Sequence, residues 1–231
     1  MTGKNLHRMH PMDAGCRKGI NELLDYPGGL VIGLTGGIAS GKSTVGSMLV
    51  ERGASLIDFD DLAREVVEPA SPALEEIVEI FGNGIMDHDG GLDRKALGRV
   101  VFFDPQQRKR LEAVTHPRIF DLYLHKAGTI LAEKESATII AAIPLLFELN
   151  LEELFHAVIL VHAPEQLQKR RLMERDGISA RHAEQILKSQ MPIDEKVRRA
   201  RFVVYNDGGL DETRRRVDAL WRELQQMHPC A

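Results

Sequence analysis

Residues 33–45 read GLTGGIASGKSTV and follow the short apolar run LVI at residues 30–32. Within this stretch, residues 36–43 match the pattern G-x-x-x-x-G-K-[ST] of a phosphate-binding loop. The apolar run predicts a buried strand over residues 30–35, and the residues after the glycines predict a helix over about 42–52. A loop between a strand and a helix is the structural context that this pattern requires. The stretch therefore predicts an α/β fold that holds a nucleotide.

Each part of the motif suits a bound triphosphate. Glycine lets backbone N–H groups turn inward around an anion, and the following helix directs its positive N-terminal end at the same point. Lys42 is expected to reach the β- and γ-phosphates, and Ser43 to offer its hydroxyl to Mg²⁺. The loop residues predicted to bind ATP are Gly36, Gly37, Ile38, Ala39, Ser40, Gly41, Lys42, Ser43 and Thr44.

Three other uses of a glycine-rich turn are less consistent with the residues. A dinucleotide site would place an acid about 20 residues on, where Asp58 stands, but it also needs G-x-G-x-x-G, and the glycines at 33, 36, 37 and 41 do not have that spacing. A GTPase would carry a base-reading NKxD segment, which is absent from the chain. A purely structural turn would have no use for a lysine directed at phosphate.

The rest of the chain alternates between apolar runs and helical patterns. Near-continuous apolar runs are typical of buried parallel strands, and helical segments between them predict helices on both faces of the sheet. The sequence thus predicts a P-loop nucleoside-triphosphate hydrolase type of fold within residues 30–224. A helical insertion is predicted to form a second lobe over about residues 61–134. Two helices with a break at 176–177 are predicted to form a lid over about residues 165–200. The further predicted strands cover residues 55–58, 138–143, 157–162 and 201–205.

Composition narrows the class of protein. The 231 residues carry a net charge of −4, which argues against a general nucleic-acid or membrane-surface binder. The two cysteines, Cys16 and Cys230, form no CxxC or Cys/His cluster, so we expect neither a zinc site nor a disulfide framework, and the composition suits the cytosol. Residues 1–29 lack the apolar core of a signal peptide, and we predict a mobile extension there with a short helix near 19–25. Residues 225–231 are predicted to be a tail.

Carboxylates follow the second predicted strand. Asp58 and Asp60 are two residues apart, so on a strand they would share a face at the carboxyl edge of the sheet, beside the loop. There a carboxylate can accept the proton of an attacking hydroxyl or organise Mg²⁺. The alternative is that Asp60 or Asp61 N-caps the helix that follows, and spacing alone leaves both interpretations open.

An arginine-rich segment covers residues 168–201. Arg171 and Arg175 are four residues apart and so share one face of a predicted helix. Arginines on a closing lid can stabilise the charge that develops in phosphoryl transfer, although many charged runs are simply solvated helix faces. The flexible Asp-Gly at 176–177 favours the lid.

Taken together, these segments resemble those of the dephospho-CoA kinases. The resemblance rests on GLTGGIASGKSTV, IDFDDLAREVVEP, GGLDRKALGRVVFFDP, THPRI, IPLLFE, ERDG followed by EQILKSQM, and FVVYNDG in that order, over about residues 30–224. It implies ATP-dependent phosphorylation of the ribose 3′-hydroxyl of dephospho-CoA, the last step of coenzyme A synthesis. It also implies a nucleotide-binding core, a helical lobe for the acceptor and a lid, with no nucleic-acid, membrane or obligate protein partner.

The resemblance also assigns roles to residues that match its motifs. Asp60 is implied as the base for the 3′-hydroxyl, and Arg175 and Arg171 as the lid arginines. Asp58, His116 and Glu148 are implied on the acceptor side, and Asn206 near the adenine. The loop carries Ala39 where the family usually has glycine, which we expect to be tolerated if its φ is negative.

Two other functions remain as alternatives. One is a small P-loop kinase for another nucleotide or metabolite hydroxyl, which an acceptor panel would reveal. The other is a module that senses ATP without transferring phosphate, which predicts no acceptor-stimulated release of ADP.

Overall fold

The computed structural model describes residues 14–102 and 104–228. Within these residues lies a five-stranded sheet in the order β2-β3-β1-β4-β5, with every neighbouring pair parallel. The predicted parallel sheet is confirmed, and each strand ends within one residue of its predicted limits. The strands are β1 (Leu30–Gly36), β2 (Ser55–Asp58), β3 (Thr138–Ala142), β4 (Ala157–His162) and β5 (Phe202–Tyr205).

Helices cover both faces of the sheet, as predicted. Alternate residues of the strands point to opposite faces, so Val31 and Ile139 pack with one set of helices while Ile32 and Ile140 pack with another. Among the described residues, no helix is long and apolar enough to cross a membrane. The helices are α1 (Ala14–Leu24), α2 (Lys42–Val50), α3 (Phe59–Glu65), α4 (Pro72–Phe81), α5 (Arg94–Phe102), α6 (Pro105–Glu133), α7 (Glu165–Asp176), α8 (Ala180–Lys188), α9 (Ile193–Arg199) and α10 (Leu210–Gln226).

The helices between β2 and β3 carry a small apolar cluster of their own, apart from the two that flank the sheet. Side-chain caps begin three of these helices: the Ser71 hydroxyl accepts from Leu74 N, and Asp93 and Asp104 accept N–H groups in the first turns of α5 and α6. Helix α6 then returns the chain to β3. The buried members of this cluster are Val67, Ala73, Ile77, Ile85, Leu97 and Val114.

Within the predicted N-terminal extension, the structure has a helix, α1, over Ala14–Leu24, where a short helix was predicted near residues 19–25, and the mobility of the extension stays a prediction. Helix α1 buries Ile20 and Leu23 in the same apolar cluster as α6, and the imidazole Nε2 of His156 lies 2.9 Å from Leu24 O. Burial of this apolar stripe holds the helix against α6 and one face of the sheet. Residues 1–13 lie outside the described part of the chain.

The predicted C-terminal tail, residues 225–231, begins inside a helix. Helix α10 continues to Gln226, and His228 lies between Gly28 O, 3.1 Å from Nδ1, and Thr138 Oγ1, 2.8 Å from Nε2. The chain is therefore fastened to the start of β1 and β3 as far as residue 228. Residues 229–231, which include Cys230, lie outside the described part.

The lid segment contains three helices rather than the predicted two. The predicted break is present: Gly177 ends α7 in the left-handed conformation, with φ 65°. A second break at residues 189–192 separates α8 from α9, and Pro192 caps α9. Proline disfavours a helical conformation in the residue before it, which is consistent with a break before Pro192.

Candidate active site

The phosphate-binding loop lies at the carboxyl edge of the sheet, the edge at which open α/β sheets bind ligands. Strand β1 runs between β3 and β4 and ends at Gly36, and α2 begins at Lys42. The loop borders a cavity of about 510 Å³, a size suited to a small-molecule ligand. The cavity is lined by Gly36, Gly37, Ile38, Ala39, Ser40, Gly41, Lys42, Ser43, Asp58, Asp60, Pro144, Arg171, Arg175 and Gln190.

The turn into α2 requires glycine at position 41. Gly41 has φ 92°, a conformation that L side chains rarely adopt, and a Cβ there would collide with Nδ2 of Asn206. Because α2 begins at the next residue, the N–H groups of its first turn have no partner within the helix and can bind an anion. The loop and helix together form a cradle for phosphate.

Ala39 differs from the sequence-based expectation. Its φ is +55°, in the left-handed region, so the condition of a negative φ is not met. For an alanine this conformation costs about 1–2 kcal/mol. The loop therefore contains a locally strained residue that its surroundings must hold in place.

Lys42 and Asp58 form an ion pair inside the cavity. The Lys42 Nζ lies 3.3 Å from Asp58 Oδ2, and both side chains are largely buried. The other carboxylate oxygen, Asp58 Oδ1, accepts the Asp60 N–H at 2.9 Å and caps α3. The N-cap of α3 is thus Asp58 and not the predicted Asp60 or Asp61, which lie in the first turn of the helix, and the same Asp58 carboxylate faces the lysine that is expected to bind phosphate.

Asp60 has the electrostatic character of a proton acceptor. Partial burial raises the pKa of its carboxyl above the ordinary value of 3.8, and the nearby Asp58 carboxylate raises that pKa further. Lys42 and Arg64 act in the opposite direction but less strongly. A carboxylate with a raised pKa is a better base than a fully solvated one.

The two predicted lid arginines both line the cavity. Arg171 Nη1 donates to Ser40 O of the loop at 3.4 Å, so helix α7 contacts the loop directly. Arg175 donates from Nε and Nη2 to the carboxylate of Asp176, at 2.6 and 2.9 Å. Arg170, the residue before Arg171, does not line the cavity and has a solvent-exposed side chain. The pattern of two cavity-facing arginines on one helix face agrees with the predicted lid.

Two predicted nucleotide-binding residues lie beside the cavity rather than in its wall. Asn206 is buried, donates from Nδ2 to Ser40 O at 2.8 Å and accepts from Thr213 Oγ1 at 2.9 Å. Its amide thus supports the loop from behind. Thr44, in the first turn of α2, is half-buried and does not line the cavity. Direct contact of either residue with a nucleotide stays a prediction.

The structure does not bring His116 or Glu148 to the cavity wall. His116 is half-buried in α6, and burial lowers the pKa of its imidazole below the ordinary value of 6.5. Glu148 Oε1 accepts the Met191 N–H at 3.1 Å and lies 2.7 Å from Lys196 Nζ, at the base of the lid. A role for either residue in acceptor binding remains a prediction from the resemblance.

Sequence reasoning missed Gln190 and Lys196. Gln190 lines the cavity, and its Oε1 accepts the Ile38 N–H at 2.9 Å. Lys196 is completely buried, which its place in the charged run EKVRRAR does not indicate. Only the break before Pro192 could have directed attention to Gln190, because a glutamine at the end of a polar helix resembles any surface residue.

The cavity offers few ligands to a metal ion. Among the described residues no three His, Cys, Asp or Glu side chains cluster so as to hold one. Kinase sites usually hold Mg²⁺ with one or two protein side chains together with substrate phosphates. Ser43, Asp58 and Asp60 lie along one cavity and fit that arrangement.

The sequence and the fold are both similar to those of known dephospho-CoA kinases. A family model described as CoaE, dephospho-CoA kinase, matches residues 30–212. A dephospho-CoA kinase from Anaeromyxobacter dehalogenans is 47% identical over 195 residues, covering 84% of this chain and 92% of that protein. The crystal structure of TT1252 from Thermus thermophilus superposes with a TM-score of 0.74 at 38% identity, over 87% of this chain and 99% of that one. A dephospho-CoA kinase structure from Campylobacter jejuni gives a TM-score of 0.59 at 29% identity, over 85% and 97% of the two chains.

A parallel sheet with a G-x-x-x-x-G-K-S loop at its carboxyl edge, beside a cavity that two arginines of α7 also line, is typical of a P-loop kinase. Within that class, the family match covers most of the chain, and the relatives share nearly half of their residues with it. The chain belongs to the dephospho-CoA kinase family. The expectation of an ATP-dependent phosphotransferase of this family is confirmed.

Proposed function

We propose that the protein transfers the γ-phosphoryl group of Mg²⁺-ATP directly to the ribose 3′-hydroxyl of dephospho-CoA, the last step of coenzyme A synthesis. The observation that carries this proposal is the common cavity. The phosphate-binding loop, the Lys42–Asp58 pair, Asp60 and two lid arginines all line it. A donor and an acceptor can therefore meet in one cavity.

The loop and Lys42 hold the triphosphate. Lys42 exchanges part of its contact with Asp58 for the β- and γ-phosphates, and the free N–H groups of α2's first turn bind phosphate oxygens. Ser43 offers its hydroxyl to Mg²⁺, which when bound neutralises charge on the phosphates. Asn206 keeps the loop in shape from behind.

Asp60 is the base that receives the proton of the attacking hydroxyl. Its raised pKa gives it the affinity to accept a proton as the new P–O bond forms. Asp58 fixes the start of α3 through the Asp60 N–H and so sets where the Asp60 carboxylate lies. The proton moves from the 3′-oxygen to an Asp60 oxygen while the bridging oxygen leaves with ADP.

Arg171 and Arg175 neutralise charge on the transferred group. Phosphoryl transfer spreads negative charge over three equatorial oxygens, and guanidinium groups at a water-poor site stabilise it. Arg171 already contacts the loop, while Arg175 must exchange its contact with Asp176 for phosphate. The α3–α6 lobe receives dephospho-CoA, with His116 and Glu148 as the residues that the family resemblance places on the acceptor side. We also propose that the enzyme works in the cytosol. The chain has two cysteines in 231 residues, and cysteines stay reduced in that compartment.

An acceptor panel tests this function. Purified protein is incubated with Mg²⁺-ATP and one acceptor at a time (dephospho-CoA, nucleoside monophosphates, sugars or hydroxy acids), and release of ADP is followed. We expect stimulation by dephospho-CoA far above the others. Stimulation by another acceptor would indicate a different kinase, and binding of ATP with no stimulation by any acceptor would indicate an ATP-sensing module.

A further inference from the structure

Two side chains from distant parts of the sequence anchor the phosphate-binding loop on either side of Ala39. Gln190 Oε1 accepts the Ile38 N–H at 2.9 Å, across 152 residues of sequence. Asn206 Nδ2 donates to Ser40 O at 2.8 Å, across 166 residues. The residue between the two anchored peptides is the one whose φ is +55°. The strained position is therefore held from both sides by hydrogen bonds that do not belong to the loop.

The two anchors come from different parts of the molecule. Asn206 is buried beside β5, where Thr213 Oγ1 fixes the orientation of its amide. Gln190 stands in the break between α8 and α9, at the end of the lid. Of these two anchors, Gln190 is therefore the one that connects the loop to the lid, which also reaches the loop through the longer Arg171 Nη1–Ser40 O contact of 3.4 Å.

The lid base holds Gln190 at its place. The next residue, Met191, donates its N–H to Glu148 Oε1 at 3.1 Å, and the same oxygen lies 2.7 Å from the Nζ of fully buried Lys196. Arg199 donates to the carbonyl of Phe147 at 2.9 Å and pairs with Glu152. The segment after β3 and helix α9 thus form a charged clamp around residues 190–191.

We propose that Gln190 is a positioning residue that keeps the phosphate-binding loop in its strained, binding-competent shape and links that shape to the lid. With the Ile38 N–H captured, the left-handed conformation at Ala39 persists. Without this bond, the loop relaxes toward conformations in which alanine has a negative φ and the phosphate cradle is less well formed. Gln190 acts through Ile38 and Ala39 rather than on the phosphates. The inference rests on the proposed role of the loop in ATP binding.

A double-mutant cycle of Gln190→Ala and Ala39→Gly tests the inference. Glycine adopts a positive φ without strain, so loss of the anchor should matter less when residue 39 is glycine, since the left-handed penalty of alanine exceeds the entropic cost of glycine. The KM for ATP, kcat and the affinity for a non-hydrolysable ATP analogue are measured for all four proteins. Gln185→Ala, which removes an exposed glutamine of α8, is the matched control. Thermal unfolding of each variant shows whether it is folded.

We expect Gln190→Ala to raise the KM for ATP about five- to tenfold, within the range for one lost neutral hydrogen bond. The same change in the Ala39→Gly background should raise it less than about twofold, and the Gln185→Ala control should not change it. An equal effect of Gln190→Ala in both backgrounds, or no effect in either, would overturn the inference. Absence of kinase activity in the unmodified protein would instead overturn the proposed function, while analogue binding would still report on the loop.

Discussion

Lys42 Nζ lies 3.3 Å from Asp58 Oδ2, and Asp58 Oδ1 holds the N–H of Asp60. One carboxylate therefore joins the lysine expected to bind phosphate to the helix that carries the expected base. Asp58 thus fixes the position of Lys42, which is expected to bind the nucleotide, relative to that of Asp60, which is expected to face the acceptor. The charges of Asp58 and Lys42 also shift the pKa of Asp60, in opposite directions. Substitutions of Asp58 and of Asp60 should therefore change the pH dependence of the reaction in different ways.

Asp60→Asn should abolish most turnover while leaving ATP binding nearly intact. Loss of a general base typically costs about 10²–10⁴-fold in rate, so kcat should fall by at least about a hundredfold. The variant should also be more stable at pH 7. An aspartate whose pKa is raised on folding holds its proton more tightly in the folded state, so its ionisation at higher pH lowers stability. Kinetics and thermal unfolding of the same samples check both parts.

Asp61→Asn is the matched control for that experiment, because Asp61 is exposed and, in the described part of the chain, its ion pair is with the exposed Arg64. It should retain near-normal kcat. Turnover of Asp60→Asn within a few fold of the unmodified protein would remove Asp60 from the role of base.

Asp58→Asn should move the acidic limb of the pH–rate profile. The Asp58 carboxylate raises the pKa of Asp60, so removing its charge lowers that pKa and lets Asp60 stay ionised at lower pH. Asparagine still caps a helix, so α3 should keep its start. The measurement is kcat/KM for dephospho-CoA against pH, at saturating ATP. An acidic limb that stays in place or moves to higher pH would show that Asp60 does not set it.

The lid arginines should differ from their neighbour on α7. Arg171→Ala and Arg175→Ala are each expected to lower kcat by about 10²–10³-fold, as for other groups that stabilise transition-state charge. Arg170→Ala should change kcat little, since its side chain is exposed and pairs with Glu174. Steady-state kinetics of the three variants make the comparison. Equal small effects at all three positions would mean that the arginine run is a solvated helix face.

Ala39→Gly should stabilise the protein. Relief of the left-handed strain, less the entropic cost of glycine, should raise the free energy of unfolding by about 1 kcal/mol. For a chain of this size that corresponds to roughly 2–4 °C in Tm. Ala70→Gly is a useful comparison, because Ala70 is exposed and also has a positive φ of 64°. A lower Tm for Ala39→Gly would contradict the assignment of strain to this residue.

Much of the fold, and many of the residues that line the cavity, could be predicted from local sequence patterns. Strands β1 and β4 are continuous apolar runs, and the loop between β1 and α2 has a spacing that few other sites share, so both were predictable. The two lid arginines were predictable because a four-residue spacing puts them on one helix face. Asp58 ends strand β2 as predicted, whereas Asp60 lies in α3 and not on the strand, although both line the cavity at this edge of the sheet.

The features that were not predicted depend on contacts across long stretches of sequence. The burial of α1 needs the partner surface of α6, and the capture of the Ile38 N–H by Gln190 needs a tertiary approach that no local pattern encodes. The positive φ of Ala39 is likewise imposed by its anchored neighbours, since alanine alone avoids it. The burial of Lys196 against Glu148 is not predictable either, because Lys196 stands in an ordinary charged run and Glu148 lies 48 residues earlier in the chain.

The site of phosphorylation tests the central claim most directly. ATP labelled in its γ-phosphoryl group is incubated with the protein, Mg²⁺ and dephospho-CoA, and the product is separated and its phosphate position determined by mass spectrometry and NMR. The account predicts that the label is on the ribose 3′-oxygen, and that Asp60→Asn, with ATP analogue binding intact, forms this product at least about a hundredfold more slowly. Label at another position, on another acceptor, or only in free phosphate would contradict it.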